Sequence, residues 1–234
     1  MRQNLETKAV PADHTECTPA DRVTKSLLGY GVIAGPVYVT VSLAQAFTRD
    51  GFDLTRHAWS MLANGEHGWI QVANFVLTGL MVIAFAVGLG RALRPGIGAR
   101  WAPRLVTGYG VSLIVAGVFR ADPAQGFPVG TPEGAGPISW HGLLHFAAGG
   151  IGFTCLAIAG FVVARRFAAE GRPGWALYSR ITAVVFLVGF GMLASGGGTR
   201  VTIVGFTAAV ILIWAWMTAV SVDRYGIVAR GTDR

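Results

Sequence analysis

Six long apolar stretches, separated by short polar segments, run through the sequence. The stretches cover residues 27–48, 69–90, 102–119, 138–164, 175–195 and 201–220. A helix needs roughly 20 mostly apolar residues to cross the hydrocarbon core of a bilayer, and all six stretches are close to that length or above it. The pattern predicts an all-α fold, a polytopic membrane protein whose six transmembrane helices form a bundle over residues 25–222.

The positive charges lie on alternate sides of these stretches. Of the 19 Lys and Arg residues, four follow the first, third and fifth stretches, and they are Arg49, Arg56, Arg120 and Arg200. Thirteen of the other fifteen precede the first stretch, follow the sixth, or lie in the remaining connections, and Arg104 and Arg180 lie in the first six residues of the third and fifth stretches, on the same side. Because cytoplasmic loops retain Lys and Arg, this asymmetry predicts that both termini are cytoplasmic and that the protein lies in the inner or plasma membrane.

Two tails flank the predicted bundle. Residues 1–24 mix acids, bases, Pro and Thr without apolar periodicity, which is typical of a disordered cytoplasmic tail, and residues 223–234 form a second tail. Residues 44–46, Ala-Gln-Ala, resemble a signal-peptidase site. The apolar run and the tail before it are both long for a signal peptide, so we expect the first stretch to be retained.

Composition narrows the class of protein further. Apolar residues make up 53% of the chain and charged residues 13%, which argues against an ordinary soluble domain. The net charge of +7 lies in short loops beside apolar stretches, so it predicts contact with membrane lipids and no binding of nucleic acid. Arg outnumbers Lys seventeen to two, which indicates a GC-rich bacterial genome. Cys17 in the tail and Cys155 in the fourth stretch lie too far apart for a disulfide.

Polar side chains recur at helical spacing on three of the predicted helices. The three sets are Tyr38, Ser42, Gln45 and Arg49; His67, Gln71, Asn74 and Thr78; and His141, His145, Gly149 and Gly152. Spacings of three and four residues place each set on one helix face, in the half of the bilayer away from the basic loops. Because polar groups in hydrocarbon are costly unless they face partners or water, the sets predict a polar pocket open to the extracytoplasmic side. The alternative is that Gln71 and Asn74 only form hydrogen bonds between helices.

Three of the four arginines on the predicted outer side are candidates for this pocket. Its predicted lining is Arg56, Gln71, Asn74, Arg120, Asp122, His141 and Arg200. Guanidinium groups bind phosphates and carboxylates through paired hydrogen bonds, so we expect a small anionic or lipid ligand. The alternative is that the arginines form ion pairs with Asp53, Glu66 and Asp122.

A second constellation suggests a metal site. His141 and His145 stand four residues apart and share one helix face. With Asp122, they could hold zinc and leave one position open for a nucleophilic water. This set predicts, as the alternative function, an intramembrane metal-dependent hydrolase of lipid esters or amides, with Glu66 or His67 as the proton carrier. A haem held by His67 and either His141 or His145 is the less favoured cofactor, and whether the protein is an enzyme stays open.

Short motifs at the predicted helix ends resemble those of a known family. They are Arg56-His57-Ala58-Trp59-Ser60 before the second helix, Trp69, Asn74 and Gly79 within it, Arg120-Ala121-Asp122-Pro123 after the third, and Trp140-His141-Gly142 in the fourth. In this order they resemble the bacterial and archaeal membrane proteins grouped as domain of unknown function 998, over residues 25–222. The resemblance implies a multi-pass membrane fold without a settled activity, and its matching positions add Ser60 to the predicted ligand-binding residues.

Overall fold

Each apolar stretch of the sequence folds into one α-helix. The computed structural model describes residues 18–196 and 198–231, and residues 1–17, with Cys17, and 232–234 lie outside that part. Its helices are α1 (Pro19–Thr48), α2 (Gly68–Ala92), α3 (Trp101–Val118), α4 (Trp140–Ala169), α5 (Pro173–Ala194) and α6 (Arg200–Arg230), with a 3₁₀ helix at Trp59–Ala63. By length and composition, all of the α-helices except α3 are candidates to cross a membrane. The prediction of an all-helical polytopic membrane protein is confirmed.

The first and last helices are longer than the sequence analysis predicts. Helix α1 begins at Pro19, and the side chain of Thr18 accepts a hydrogen bond from the Asp21 N–H at 3.2 Å. A capping Thr followed by Pro and an acid in the first turn is a helix start signal, and residues 19–24 therefore belong to α1. Helix α6 likewise runs to Arg230, so residues 223–230 are helical as well.

The helices form an up-and-down bundle that closes into a ring. Each helix packs against its neighbours in the sequence, and α6 returns to pack against α1. At this closure, the hydroxyl of Ser221 donates a hydrogen bond to the Leu28 carbonyl, and the backbone of Gly35 lies beside Trp214. The two ends of the bundle, along the helix axes, differ in the segments that connect the helices.

We name these ends by what they carry. The lid end holds segments 49–67, 119–139 and 195–199, which connect α1 to α2, α3 to α4 and α5 to α6. The basic end holds the other two connections, together with the beginning of α1 and the end of α6. Most of the arginines lie at the basic end.

Glycines bring α2 and α3 into backbone contact. Gly79 and Gly110 face each other, so that a Cβ on Gly79 would lie 2.7 Å from the Gly110 carbonyl oxygen, and one on Gly110 would lie 2.8 Å from the Gly79 oxygen. Small residues at a crossing point let membrane helices approach closely and gain dispersion contacts along their length. The pair therefore sets the distance between these two helices.

Ion pairs join three segments at the basic end. Arg224 is 2% exposed and donates to both carboxylate oxygens of Glu170, at 2.6 and 2.7 Å. Arg166 also binds Glu170, while Arg172 binds Asp223 at 2.6 Å. Burial raises the pKa of Glu170, but the hydrogen bonds and charges of Arg224 and Arg166 outweigh it and hold that pKa below its usual value. The cluster fastens the α4–α5 connection to the end of α6.

Candidate functional site

A cavity of about 540 Å³ lies inside the lid end of the bundle. All six helices and all three lid segments contribute residues to its wall. Its aromatic lining consists of Tyr38, Trp59, Phe75, Tyr109, Phe146, Phe153, Phe190 and Phe206. Small-molecule sites are typically mainly apolar cavities of roughly 300–1,000 Å³ with a few placed polar groups, and this cavity has both properties.

Aromatic rings close the cavity towards the middle of the bundle. Tyr38 stacks against Trp214 with ring centroids 5.1 Å apart, and Tyr109 lies 5.8 Å from the same indole. Trp59 and Phe75 each lie 6.0 Å from the Tyr38 ring. The rings of α1, α2, α3 and α6 form an apolar floor, and Trp59 packs on Tyr38 from the first lid segment.

The cavity wall carries few polar side chains. They are the hydroxyls of Tyr38, Ser60, Tyr109, Ser112 and Thr207, the amide of Gln125, the carboxylate of Asp122 and the imidazole of His145. No Lys or Arg occurs among the described residues that line the cavity. The electrostatic character of the wall is therefore set by Asp122 and His145.

Asp122 is held at the beginning of α4. Its carboxylate accepts hydrogen bonds from the backbone N–H and the hydroxyl of Ser139, at 2.8 and 2.5 Å. The Ser139 hydroxyl oxygen accepts in turn from the Gly142 N–H at 3.1 Å. A carboxylate is favourable at the positive end of a helix dipole. A Cβ on Gly142 would lie 1.9 Å from the Asp122 Oδ2 atom, so a larger residue here would displace the carboxylate.

His145 caps the end of α3 from across the α3–α4 interface. Its Nδ1 atom lies 2.9 Å from the Phe119 carbonyl oxygen and 3.0 Å from that of Ala116. Carbonyl oxygens only accept, so Nδ1 carries the hydrogen, and Nε2 is the ring nitrogen left for a partner in the cavity. The imidazole thus combines a structural contact with a free coordination or hydrogen-bonding position.

The polar sets of α1 and α2 bind each other. Gln71 is fully buried, and its Oε1 atom accepts from the Gln45 amide at 2.8 Å and from the Asn74 amide at 3.3 Å. Asn74 also donates to the Tyr38 carbonyl at 3.2 Å and to the Ser42 hydroxyl at 3.3 Å. Gln71 and Asn74 lie between the two helices and are absent from the cavity lining among the described residues. Interhelical hydrogen bonding, the alternative considered for these residues, is the arrangement that the structure contains.

The structure does not bring the predicted arginines to the cavity. Arg56 forms an ion pair with Glu133, which joins the first two lid segments on their exposed side. Arg120 and Arg200 are exposed and lie outside the lining. Arg49 donates to the carbonyls of the first lid segment. The arginines on this side therefore act on loops and surface, because long side chains at helix ends reach the polar boundary.

Two of the three predicted zinc ligands line the cavity, and the third lies on the surface. Asp122 and His145 line the cavity, while His141 is exposed and stacks its ring on Trp140. Across residues 18–196 and 198–231, no three His, Cys, Asp or Glu side chains are grouped so as to hold a metal ion. His67 and Glu66, predicted as haem ligand and proton carrier, are exposed and are not part of the lining.

A buried histidine joins the two longer lid segments. His57 is 1% exposed, and its Nδ1 atom accepts a hydrogen bond from the Asp53 N–H at 2.9 Å. Its Nε2 atom lies 2.9 Å from the Gln125 carbonyl oxygen in the other segment. Hydrogen bonds from the backbone N–H and the hydroxyl of Thr55 hold the pKa of Asp53 below its usual value. Both segments are thereby fixed over the cavity.

The structure defines a polytopic membrane protein built from a closed ring of helices. A family model matches residues 32–223, so the chain belongs to the family described as Protein of unknown function (DUF998). The resemblance seen in the motifs is confirmed. Neither the curated proteins nor the solved structures include a significant match to this chain.

Proposed function

We propose that the protein crosses the cell membrane six times, with both termini in the cytoplasm and the lid end on the extracytoplasmic side. The charge asymmetry supports this orientation, because the basic end would be cytoplasmic. The ring supports the number of spans. Helix α3 is only 18 residues long, but it packs between α2 and α4, and this position supports a sixth span.

We infer that the cavity at the lid end binds a lipid, which makes this a lipid-binding membrane protein. The observation that carries the inference is the aromatic wall, which offers dispersion contacts and little polar surface to a ligand. Of the two ligand types considered, anionic and lipid, the wall favours the lipid. An anion inside the cavity would meet Asp122 and would find none of the arginines beside it.

Photo-crosslinking in a bilayer tests this function. The protein is reconstituted in nanodiscs of phosphatidylethanolamine and phosphatidylglycerol that contain phosphatidylethanolamine with a diazirine on one acyl chain. After illumination, mass spectrometry maps the adducts. Annular lipid will label outward residues such as Val201 and Val204, whereas a bound lipid will also label Phe153 and Phe206 in the cavity wall.

A pair of matched variants separates the cavity from the bundle surface. Gly149 lies in the wall, and a Cβ there would meet only Phe153, at 3.8 Å, so Gly149→Leu fills space without a backbone clash. Gly205 on α6 is exposed with open space around it, and Gly205→Leu is the control. We expect Gly149→Leu to lower the inward adducts severalfold and Gly205→Leu to leave them unchanged. Adducts on outward residues alone, in the wild-type protein, would refute lipid binding in the cavity.

The metal-dependent hydrolase is the second candidate function. One observation favours it, namely that Asp122 and His145 line the same cavity. Elemental analysis of the purified protein, beside the His141→Ala/His145→Ala double variant, tests it. Near-stoichiometric zinc that is lost in the variant supports the hydrolase, and stoichiometric iron supports haem. A folded wild-type protein without metal above background refutes both.

A further inference from the structure

One side of the cavity opens through the wall of the bundle. Three large apolar residues of the cavity lining are exposed: Ile138 at 81%, Leu143 at 60% and Phe146 at 46%. All three lie in the first two turns of α4 or just before them. A side chain that faces both the cavity and the exterior marks the mouth of the cavity, so the mouth runs along the beginning of α4.

The opposite rim of the mouth belongs to the end of α5 and the connection that follows it. Ala194, Gly196 and Gly198 line the cavity and are exposed. Phe190 reaches from α5 towards α4, where its ring lies 5.7 Å from that of Phe146. A Cβ on Gly196 would have no neighbour within 4 Å, so this rim is loosely filled.

The end of the cavity that faces water is closed by the lid segments. Trp59, Leu62 and Phe127 are 4%, 0% and 1% exposed, which shows that the lid has an apolar interior of its own. Arg49 binds two carbonyls of the first lid segment at 2.8 and 2.6 Å, and His57 joins that segment to the second. Access along the bundle axis would require these contacts to break.

The mouth is apolar, and it lies where α4 begins and α5 ends, next to the lid segments. Exposed Ile, Leu and Phe side chains are unfavourable in water, whereas they are the normal surface of a protein in hydrocarbon. Asp122 and Gln125, by contrast, line the cavity near the end where the lid segments begin. Leu143 and Phe146, one and two turns into α4, form the deeper part of the mouth, and Asp122 lies at its outer edge beside Ser139. This order places the deeper part of the mouth towards the acyl-chain region and Asp122 towards the headgroup region.

We propose that this mouth is a lateral portal through which an acyl chain of a lipid from the extracytoplasmic leaflet enters the cavity. The proposal rests on the lipid-binding function and adds the source of the ligand and its route. The chain passes between the beginning of α4 and the end of α5, and the headgroup stays at the membrane surface beside Asp122. The lid segments remain closed during this exchange.

The route is tested by the access of thiol reagents to a cysteine in the cavity wall. In proteoliposomes, Gly149→Cys is compared with Val129→Cys on the exposed lid surface and Gly205→Cys on the lipid-facing side of α6. The native Cys17 and Cys155 are replaced by Ser and Ala in all three proteins. The reagents are sulfonatoethyl methanethiosulfonate, which stays in water, and N-pyrenylmaleimide, which partitions into the bilayer.

We expect N-pyrenylmaleimide to modify Gly149→Cys at a rate similar to that of Gly205→Cys. The sulfonate reagent should modify Gly149→Cys at least an order of magnitude more slowly than Val129→Cys. Adding Phe146→Ala to the cavity cysteine should speed the maleimide reaction, while adding the outward control Val201→Ala should not. Equal access for the sulfonate reagent at positions 149 and 129 would overturn the portal, and so would a cavity cysteine that neither reagent modifies.

These outcomes are distinguishable from a failure of lipid binding. If the maleimide reaches the cavity cysteine but the diazirine lipid leaves no inward adducts, the portal exists and the proposed function is wrong. If inward adducts form while only the sulfonate reagent reaches the cysteine, the cavity binds lipid and the lateral route is wrong.

Discussion

The contact between Gly79 and Gly110 gives a quantitative test of how α2 and α3 pack. Replacing Gly79 by Ala puts a methyl carbon 2.7 Å from the Gly110 carbonyl oxygen and 2.7 Å from a side-chain carbon of Ile114. Close C–H···O contacts have carbon–oxygen distances of about 3.3–3.6 Å, so the helices must separate by roughly 0.6 Å or more at this point. The carbonyl is part of the α3 backbone and cannot turn away like a flexible side chain.

Two opposing effects set the size of the change. Overpacking a well-filled interior costs about 1–3 kcal/mol, and the shift of α3 also loosens contacts along the interface. Ala is favoured over Gly in a helix by up to about 1 kcal/mol. At exposed Gly205, where a Cβ has no neighbour within 4 Å, only the favourable effect operates. We therefore expect Gly79→Ala to be less stable than Gly205→Ala by about 1–3 kcal/mol.

Reversible unfolding in mixed micelles measures this difference. The protein in dodecylmaltoside is titrated with sodium dodecyl sulfate, and helix content is followed by circular dichroism. The free energy of unfolding should fall for Gly79→Ala and Gly110→Ala, and the double variant should lose less than their sum, because one separation of the helices accommodates both methyl groups. Equal stability of Gly79→Ala and Gly205→Ala would refute the close contact.

Three further predictions use the same titration. Glu170→Gln removes one of the two carboxylates beside Arg224, whose Nε atom still lies 3.1 Å from Asp223, and the free energy of unfolding should fall, by less than the roughly 3–5 kcal/mol of a fully uncompensated buried charge; an unchanged value would mean that the pair is not buried in the membrane-bound protein. Because the folded protein holds the pKa of Glu170 low, its contribution is complete above the unfolded pKa of about 4.3 and is lost as the pH falls further. Wild-type stability should therefore decline below about pH 4.3 more steeply than that of Glu170→Gln, and parallel curves would contradict this. Asn74→Leu removes interhelical hydrogen bonds and should cost about 0.6–2 kcal/mol, whereas Thr154→Val, whose hydroxyl bonds only within its own helix at 2.8 Å, should change little.

The apolar part of each helix could be predicted from the sequence, because hydropathy is a property of the sequence alone. Hydropathy does not predict the beginning of α1. Residues 19–24 are polar, but Thr18, Pro19 and Asp21 form a helix start signal that composition does not reveal. Local capping chemistry, when read residue by residue, would have placed this boundary correctly.

The candidate site was harder to predict, because periodicity gives the face of a helix and not what lies opposite. Gln71 and Asn74 do share a face, yet that face meets the polar face of α1 and forms hydrogen bonds with it. The cavity wall instead uses Phe153, Phe190 and Phe206, which have no distinguishing signal inside apolar helices. Only the packing of all six helices brings them together.

The closure of the ring by α6 has a consequence for biosynthesis. Ser221 and Leu28, which meet at this closure, are separated by 193 residues of chain. At roughly 5–20 residues per second, a ribosome needs about 10–40 s to make that interval. Until then the face of α1 that carries Leu28 and Gly35 has no helix to cover it and must be shielded by lipid or by the insertion machinery. A nascent chain that stalls before α6 would leave this face of α1 uncovered, which is a surface that membrane quality control could recognise.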